Sequence, residues 1–285
     1  MEIHRVKADL TRIDEIRKKV KEQKPLIHCI TNPISINDCA NLVLAVGAKP
    51  IMAEHPKEVA GITAMAGALA VNLGNITDAR MESILISGKV AKDRKIPSVI
   101  DVVGVTCSKI RQELASQYIK ECSPAVIKGN VSEIRVLAGY HSDAAGIDVS
   151  DKETFTETDS ETAIQTAKMV RNLAEQTHSV VVASGIVDTI SDGIQVIQVE
   201  NGCEMLSQIT GTGCMLNVLI ASFLAVSDAW NAACLGTGMI GVGGELADQS
   251  RGCGTFHMSL LDCMNTMESK ALVEHIKYRK IDKVY

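Results

Sequence analysis

The sequence predicts an α/β fold, with a mostly parallel central sheet covered by helices on both faces and one domain spanning residues 1–285. Three observations predict it. Short apolar runs alternate with longer stretches of helical periodicity along most of the chain. The apolar runs are nearly continuous, as strands buried on both faces are. Finally, 46% hydrophobic and 22% charged residues suit a compact chain of 285 residues able to enclose a large core.

Taken in order, Leu10, Ile13, Ile16 and Val20 share one face and predict a helix from Leu10 to Glu22, stopped by Pro25. A strand from Leu26 to Ile30 ends at Thr31-Asn32-Pro33, and a helix from Asp38 to Ala45 ends at Gly47. A strand is predicted from Lys49 to Ala53, then a helix from Pro56 to Ala66 and a strand from Ala68 to Asn72. Met81 to Arg94 is helical, Ser98 to Asp101 a strand, Ser108 to Glu121 helical and Ala125 to Lys128 a strand. The polar, acidic stretch from Gly146 to Thr162 is expected to be solvated. A helix from Ser160 to Gln176 turns Ala163, Ala167, Val170 and Leu173 inward, and a β-branched strand runs from Ser179 to Ser184. Ile190 to Ile197 predicts a hairpin around Asp192-Gly193. After Trp230 the chain is Ala/Gly-rich and helical to Leu246, breaks from Gly252 to Phe256, and resumes as helix from Met258 to Lys270. The charged end KYRKIDKVY is expected to be exposed or frayed.

In parallel sheets ligands gather at the carboxyl ends of strands. The residues just past each predicted strand, Thr31-Asn32, Met52, Asn72, Asp101, Lys128-Gly129-Asn130 and Ser184-Gly185, are therefore the first candidates for a site. A further candidate is Met205 to Ala225. Here Thr210-Gly211-Thr212-Gly213-Cys214 leads straight into an apolar helix. A glycine turn at a helix start presents unpaired N–H groups and the positive end of the helix dipole to an anion. A thiol at this position, Cys214, is expected to titrate below its ordinary value.

Asp101, at a strand end, can hold a hydrated Mg²⁺ or cap a helix. Lys128 can meet phosphate as a point charge. Asn130 and Glu133 can organise water around a magnesium ion, but the same letters also write a helix capping box, and local sequence does not separate the two. Together these groups match the needs of phosphoryl transfer, which relies on positioning and charge stabilisation. No GxxxxGK[ST] motif occurs.

The charge of −5 with no basic cluster argues against nucleic acid, and no apolar run is long enough for a membrane span. Nine scattered cysteines without a CxxC argue against zinc or a disulfide framework and suit a reducing cytoplasm. No HxxxH pair suggests a histidine metal site.

The segments Thr31-Asn32, Asp38-Cys39-Ala40-Asn41, Pro50-Ile51-Met52, Asn72-Leu73-Gly74, Asp101-Val102-Val103-Gly104, Lys128 to Glu133 and Gly211-Thr212-Gly213-Cys214 occur in this order. In this the chain resembles the hydroxyethylthiazole kinases of thiamine biosynthesis, over about Lys24 to Met267. Cys214 is the discriminating residue, because other ribokinase-like enzymes usually carry aspartate there. The resemblance implies a ribokinase-like fold, ATP with Mg²⁺ as donor, and a homotrimer with the thiazole site between subunits. It implies that Met52 and Gly211 contact the thiazole alcohol and that Lys128 and Ser184 contact ATP. Asp101 and Glu133 would serve the metal, and Cys214 would stand at the position of the base. Val102, where relatives usually have proline, and Val105-Thr106-Cys107-Ser108 depart from the family pattern. The Ala/Gly-rich helices and Met52 are expected to serve close packing between subunits.

Three other readings compete. One is a ribokinase-like kinase of a hydroxymethylpyrimidine or sugar. Another is a hydrolase or acyl transferase with Cys214 as nucleophile and His28 or His257 as base. The third is a non-catalytic nucleotide-binding protein.

Overall fold

The computed structural model describes residues 3–139 and 160–282, so most of the acidic stretch from Gly146 lies outside the described residues. One sheet of ten strands forms the centre, in the order β1-β10-β9-β8-β7-β6-β5-β4-β2-β3. Strands β2 (Leu26–Ile30), β3 (Lys49–Ile51), β4 (Ala68–Asn72), β5 (Ser98–Asp101), β6 (Val126–Asn130) and β7 (Val180–Ser184) run parallel. Strands β8 (Asp188–Ser191), β9 (Val196–Val199), β10 (Tyr278–Ile281) and β1 (Ile3–Val6) extend the sheet in antiparallel fashion.

Side chains alternate across the strands, and the two faces bury separate cores. On one face Ile27, Cys29, Ala68, Ala70, Val99, Val126, Val180 and Val182 pack under α1 (Leu10–Gln23), α2 (Ile36–Ala45), α9 (Thr212–Leu224), α10 (Ala229–Leu246) and α11 (Cys253–Thr266). On the other, Leu69, Val71, Ile100, Ile127 and Val181 pack under α4 (Asp78–Asp93), α5 (Lys109–Cys122), α6 (Val131–Leu137) and α7 (Ser160–Thr177). Short helices α3 (Val59–Thr63), α8 (Met205–Gln208) and α12 (Ser269–His275) connect the layers.

Most predicted elements stand within a few residues of their expected limits. Leu10 is an exception on its helical face, since it lies at the solvent end of α1 and stays exposed while Ile13, Ile16 and Val20 are buried. Ala163 is only half-buried, whereas Ala167, Val170 and Leu173 are buried. The hairpin forms with Ile190 opposite Ile197, its turn closed by Asp192 Oδ1 accepting from the N–H groups of Ile194 and Gln195.

Three expectations are corrected. The charged C-terminal stretch is not frayed as far as Asp282, because Tyr278 and Ile281 are buried and β10 pairs with β1 and β9, and its last three residues lie outside the described residues. The break after α10 lies before Cys253, where α11 already begins. The small residues of α10 are used within the chain: a Cβ on Gly236 would strike Ile220, one on Gly241 would strike Asn201, and one on Gly243 would strike Met264. They therefore give no argument for packing between subunits.

All nine cysteines are free, and Cys29, Cys39, Cys122, Cys214 and Cys234 are buried. No helix among the described residues is long and apolar enough to cross a membrane.

Candidate functional site

Parallel pairing places Asn72 beside Asp101 and Asp101 beside Lys128, in one row across the carboxyl ends of β4, β5 and β6. They share the parity of Ala70, Val99 and Val126, so the three side chains point toward the face that carries α9. All are buried. Lys128 Nζ donates to Asp101 Oδ2 at 2.9 Å, and Asn72 Nδ2 donates to the same oxygen at 3.1 Å. Asp101 Oδ1 accepts from the Val103 N–H at 3.1 Å. Burial disfavours the Lys128 ammonium, but the charge and hydrogen bond of Asp101 outweigh it and hold its pKa above the ordinary lysine value.

Helix α9 opens onto this row. Gly211 caps it at φ +91°, a left-handed conformation costly for any residue with a Cβ, and a Cβ there would also stand 3.0 Å from Ser35 Cβ. No side chain caps the helix, which leaves its first N–H groups available. A Cβ on Gly213 would stand 3.1 Å from Lys128 Nζ, so glycine is what lets the ammonium approach the helix end. One turn further on, Asn217 Nδ2 donates to the Val71 carbonyl at 3.0 Å and pins α9 over β4.

Cys214 faces the row from that first turn. Its sulfur accepts from Asn72 Nδ2 at 3.4 Å. The expected fall in its pKa is not found. Burial pushes the thiol up first and the Asp101 charge adds to it, against weaker opposing effects from Ser35, Lys128 and Asn72. The helix dipole alone does not overcome desolvation at a buried position.

Glu133 realises the capping-box alternative. It receives the Asn130 N–H at Oε2, while Asn130 Oδ1 receives the Glu133 N–H, both at 2.8 Å. Its other oxygen, Oε1, accepts from the Gly104 N–H at 2.8 Å, which ties the loop after Asp101 to the end of β6. Burial, then the charge of Asp101, pushes the Glu133 carboxyl up to about 7.

Of the remaining expected residues, Ser184 ends β7 opposite Asn130 and donates to the Gly129 carbonyl at 3.2 Å. Met52 lies just past β3, half-buried against the α9-side core. Neither histidine candidate is a hydrogen-bond partner of Cys214. His28 is enclosed between Thr63 Oγ1 at 2.8 Å and the Ala53 carbonyl at 2.9 Å, and His257 Nε2 lies 3.2 Å from Asp38 Oδ1.

Sequence reasoning gave no role to two groups. Asn72 is marked by its place at a strand end and by the Asn72-Leu73-Gly74 segment, neither of which gives it a task. Buried Arg80 binds the carbonyls of Thr31, Gly74 and Asn75, and so joins the loops after β2 and β4. Nothing local in the sequence announces that.

A profile described as the hydroxyethylthiazole kinase family matches residues 17–270. A Clostridium botulinum protein named hydroxyethylthiazole kinase 2 is 50% identical over 263 residues, covering 92% of this chain and 98% of its own. A hydroxyethylthiazole kinase of Clostridium beijerinckii is 38% identical over 274 residues, covering 95% and 98%. The solved hydroxyethylthiazole kinase of Pyrococcus horikoshii superposes with a TM-score of 0.84 at 30% identity, covering 95% of this chain and 100% of its own. A Staphylococcus aureus pyridoxal kinase in complex with AMP-PCP superposes with a TM-score of 0.62 at 13% identity, covering 90% and 98%. That likeness bears on the fold alone, the ribokinase-like arrangement that this chain shares with the Pyrococcus horikoshii structure as well.

Proposed function

This chain belongs to the hydroxyethylthiazole kinase family, and from that premise we propose how its site works. It is an ATP-dependent kinase that phosphorylates the hydroxyl of 4-methyl-5-(2-hydroxyethyl)thiazole in thiamine biosynthesis, giving the phosphate ester and ADP. The observation that carries the site assignment is the row Asn72–Asp101–Lys128 facing the uncapped start of α9.

In this reading Lys128 and Ser184 take the nucleotide, and Met52 and Gly211 line the thiazole. One ammonium hydrogen of Lys128 serves Asp101, which leaves two for phosphate oxygens. The first N–H groups of α9 stabilise the charge spread over the transferred phosphoryl group. Cys214, a neutral thiol in these surroundings, stands beside the acceptor hydroxyl and positions it or takes its proton late.

The residues present fit Mg²⁺. Two buried carboxylates share one lysine, and burial, then the Asp101 charge, raises the Glu133 carboxyl, so a cation there would find a carboxylate to stabilise. Their oxygens already accept N–H groups, and no cluster of three or more His, Cys, Asp or Glu residues forms among the described residues. That suits an ion that keeps several waters rather than an all-protein cage. Bound there through Asp101 and Glu133, Mg²⁺ would neutralise charge on the phosphates.

We further propose a homotrimer, from the family resemblance, and a cytoplasmic location, which nine free thiols suit. Among the described residues no histidine is a hydrogen-bond partner of Cys214, which weighs against a cysteine hydrolase. A coupled ADP-release assay with the thiazole alcohol, with a hydroxymethylpyrimidine and a sugar as alternative acceptors, tests the activity. Release with the thiazole alone is expected, and preference for another acceptor would overturn the reading.

A further inference from the structure

We infer that Asn72 is a positioning residue that sets the spacing between the Asp101 carboxylate and the Cys214 thiol across the transfer site, an inference that rests on the kinase reading above. Asn72 ends β4 and is fully enclosed, at 0% exposure. Its carbonyl oxygen accepts the Gly74 N–H at 2.8 Å, so the orientation of the amide follows from its bonding. The NH2 group must then face the other way, and it divides its two hydrogens. One goes to Asp101 Oδ2 at 3.1 Å and the other to Cys214 Sγ at 3.4 Å.

These contacts join elements far apart in the chain. Asp101 belongs to β5 and Cys214 to the first turn of α9, and Asn72 is bonded to both. No other side chain donates to both groups among the described residues. Lys128 shares Asp101 Oδ2 but can answer the phosphate chain with its remaining hydrogens, whereas Asn72 has no free donor left. Its place is therefore to hold the two groups, not to touch a substrate.

The bond to sulfur has a second consequence. Because Asn72 donates to Sγ, the thiol hydrogen cannot point at the amide. The same N–H favours the thiolate form, opposing burial and Asp101. Without Asn72, Asp101 keeps Lys128 and the Val103 N–H, but the thiol loses its link to the carboxylate row.

Two variants test this. Asn72→Asp keeps shape and the acceptor for the Gly74 N–H but cannot donate to Asp101 and Cys214 together, and Asn72→Leu removes the amide at similar volume. The expected result is a kcat at least about tenfold below wild type, with the KM for ATP and for the thiazole alcohol within about threefold, as loss of alignment gives. A second measurement needs neither metal nor turnover: the rate at which a small alkylating reagent modifies Cys214 in the nucleotide-free enzyme, followed peptide by peptide to separate it from exposed Cys107 and Cys253. In Asn72→Asp that rate is expected to fall several-fold while melting temperature stays near wild type, so misfolding is excluded. Unchanged kcat in both variants, or an unchanged Cys214 rate in folded Asn72→Asp, overturns the inference. Wild-type enzyme without thiazole kinase activity would instead overturn the functional reading beneath it.

Discussion

Lys128 Nζ stands 2.9 Å from Asp101 Oδ2, and both side chains are nearly closed to solvent, at 5% and 2% exposure. Two charges in that setting are costly to desolvate, and the pair offsets the cost only while both partners are present. Lys128→Met is therefore expected to lower stability by about 3 kcal/mol, the low end for breaking a buried pair, since Asp101 keeps two N–H donors. Denaturant unfolding without nucleotide measures it. A loss below about 1 kcal/mol would contradict the pair's weight in the fold. The same variant should raise the KM for ATP more than that for the thiazole alcohol.

Glu133 gives a pH dependence of definite sign. Its carboxyl moves from an ordinary value of 4.5 to about 7 in the folded chain. The folded state thus holds a proton that the unfolded state has released. This group's contribution is fully present below about 4.5 and is lost as pH rises through about 7. The loss is of the order of 3 kcal/mol. Glu133→Gln should flatten the stability profile across that window, and Mg²⁺ should raise the melting temperature of wild type more at about pH 8 than at about pH 5.5. A profile that is the same in wild type and Glu133→Gln would refute the assignment.

A metal held by Asp101 and Glu133 predicts strict Mg²⁺ dependence. Asp101→Ala and Glu133→Ala should each cut kcat by about two powers of ten or more, with the thiazole KM changed far less. Full activity in excess chelator would remove the metal from the mechanism.

Much of this was legible in the sequence, for identifiable reasons. Strands β2, β4 and β5 match their expected limits because they are buried on both faces and read as unbroken apolar runs. Strands β1 and β10 escape the sequence reading because they pair far across the chain and their apolar residues sit among charges, as Tyr278 and Ile281 do around Arg279 and Lys280. The strand-end rule found Asn72, Asp101 and Lys128 singly. That they form one bonded row depends on β4, β5 and β6 being neighbours in a fixed register, which no local pattern encodes. The Cys214 pKa was misjudged because the dipole argument can be made from sequence, whereas burial and the nearness of Asp101 cannot.

The proposed trimer rests on the family resemblance and not on α10, whose glycines are occupied within the chain. Light scattering should give a mass three times 30.5 kDa at micromolar concentration. Large apolar side chains left exposed on one chain, Leu44 of α2 and Met258 of α11, lie on helices that pack against each other. Leu44→Glu is expected to weaken the trimer if this face is covered by a neighbour. A wild-type monomer at that concentration would contradict the assembly.

The last prediction concerns Cys214 and the glycine before it. A loose phosphoryl-transfer transition state gains little from early proton removal, so most of the barrier reduction is electrostatic. In the proposed mechanism the N–H groups at the start of α9 and Lys128 would provide that field, beside a thiol that burial and Asp101 keep protonated. A donor to developing charge is typically worth about 3 kcal/mol, whereas general-base help is about two to four powers of ten at most. Cys214→Ala should therefore be weakened but measurably active. Cys214→Asp places a carboxylate at a helix start, where the dipole favours it, but close to Asp101, so activity within about tenfold of wild type is expected. Gly213→Val should be worse than either, because a Cβ there stands 3.1 Å from Lys128 Nζ and the remaining methyl groups would push the ammonium from the helix end. A cysteine nucleophile predicts a different order, with Cys214→Ala and Cys214→Asp both dead. Comparing kcat for the three variants at saturating ATP separates the two mechanisms, and activity in Cys214→Ala is the outcome that a covalent route cannot accommodate.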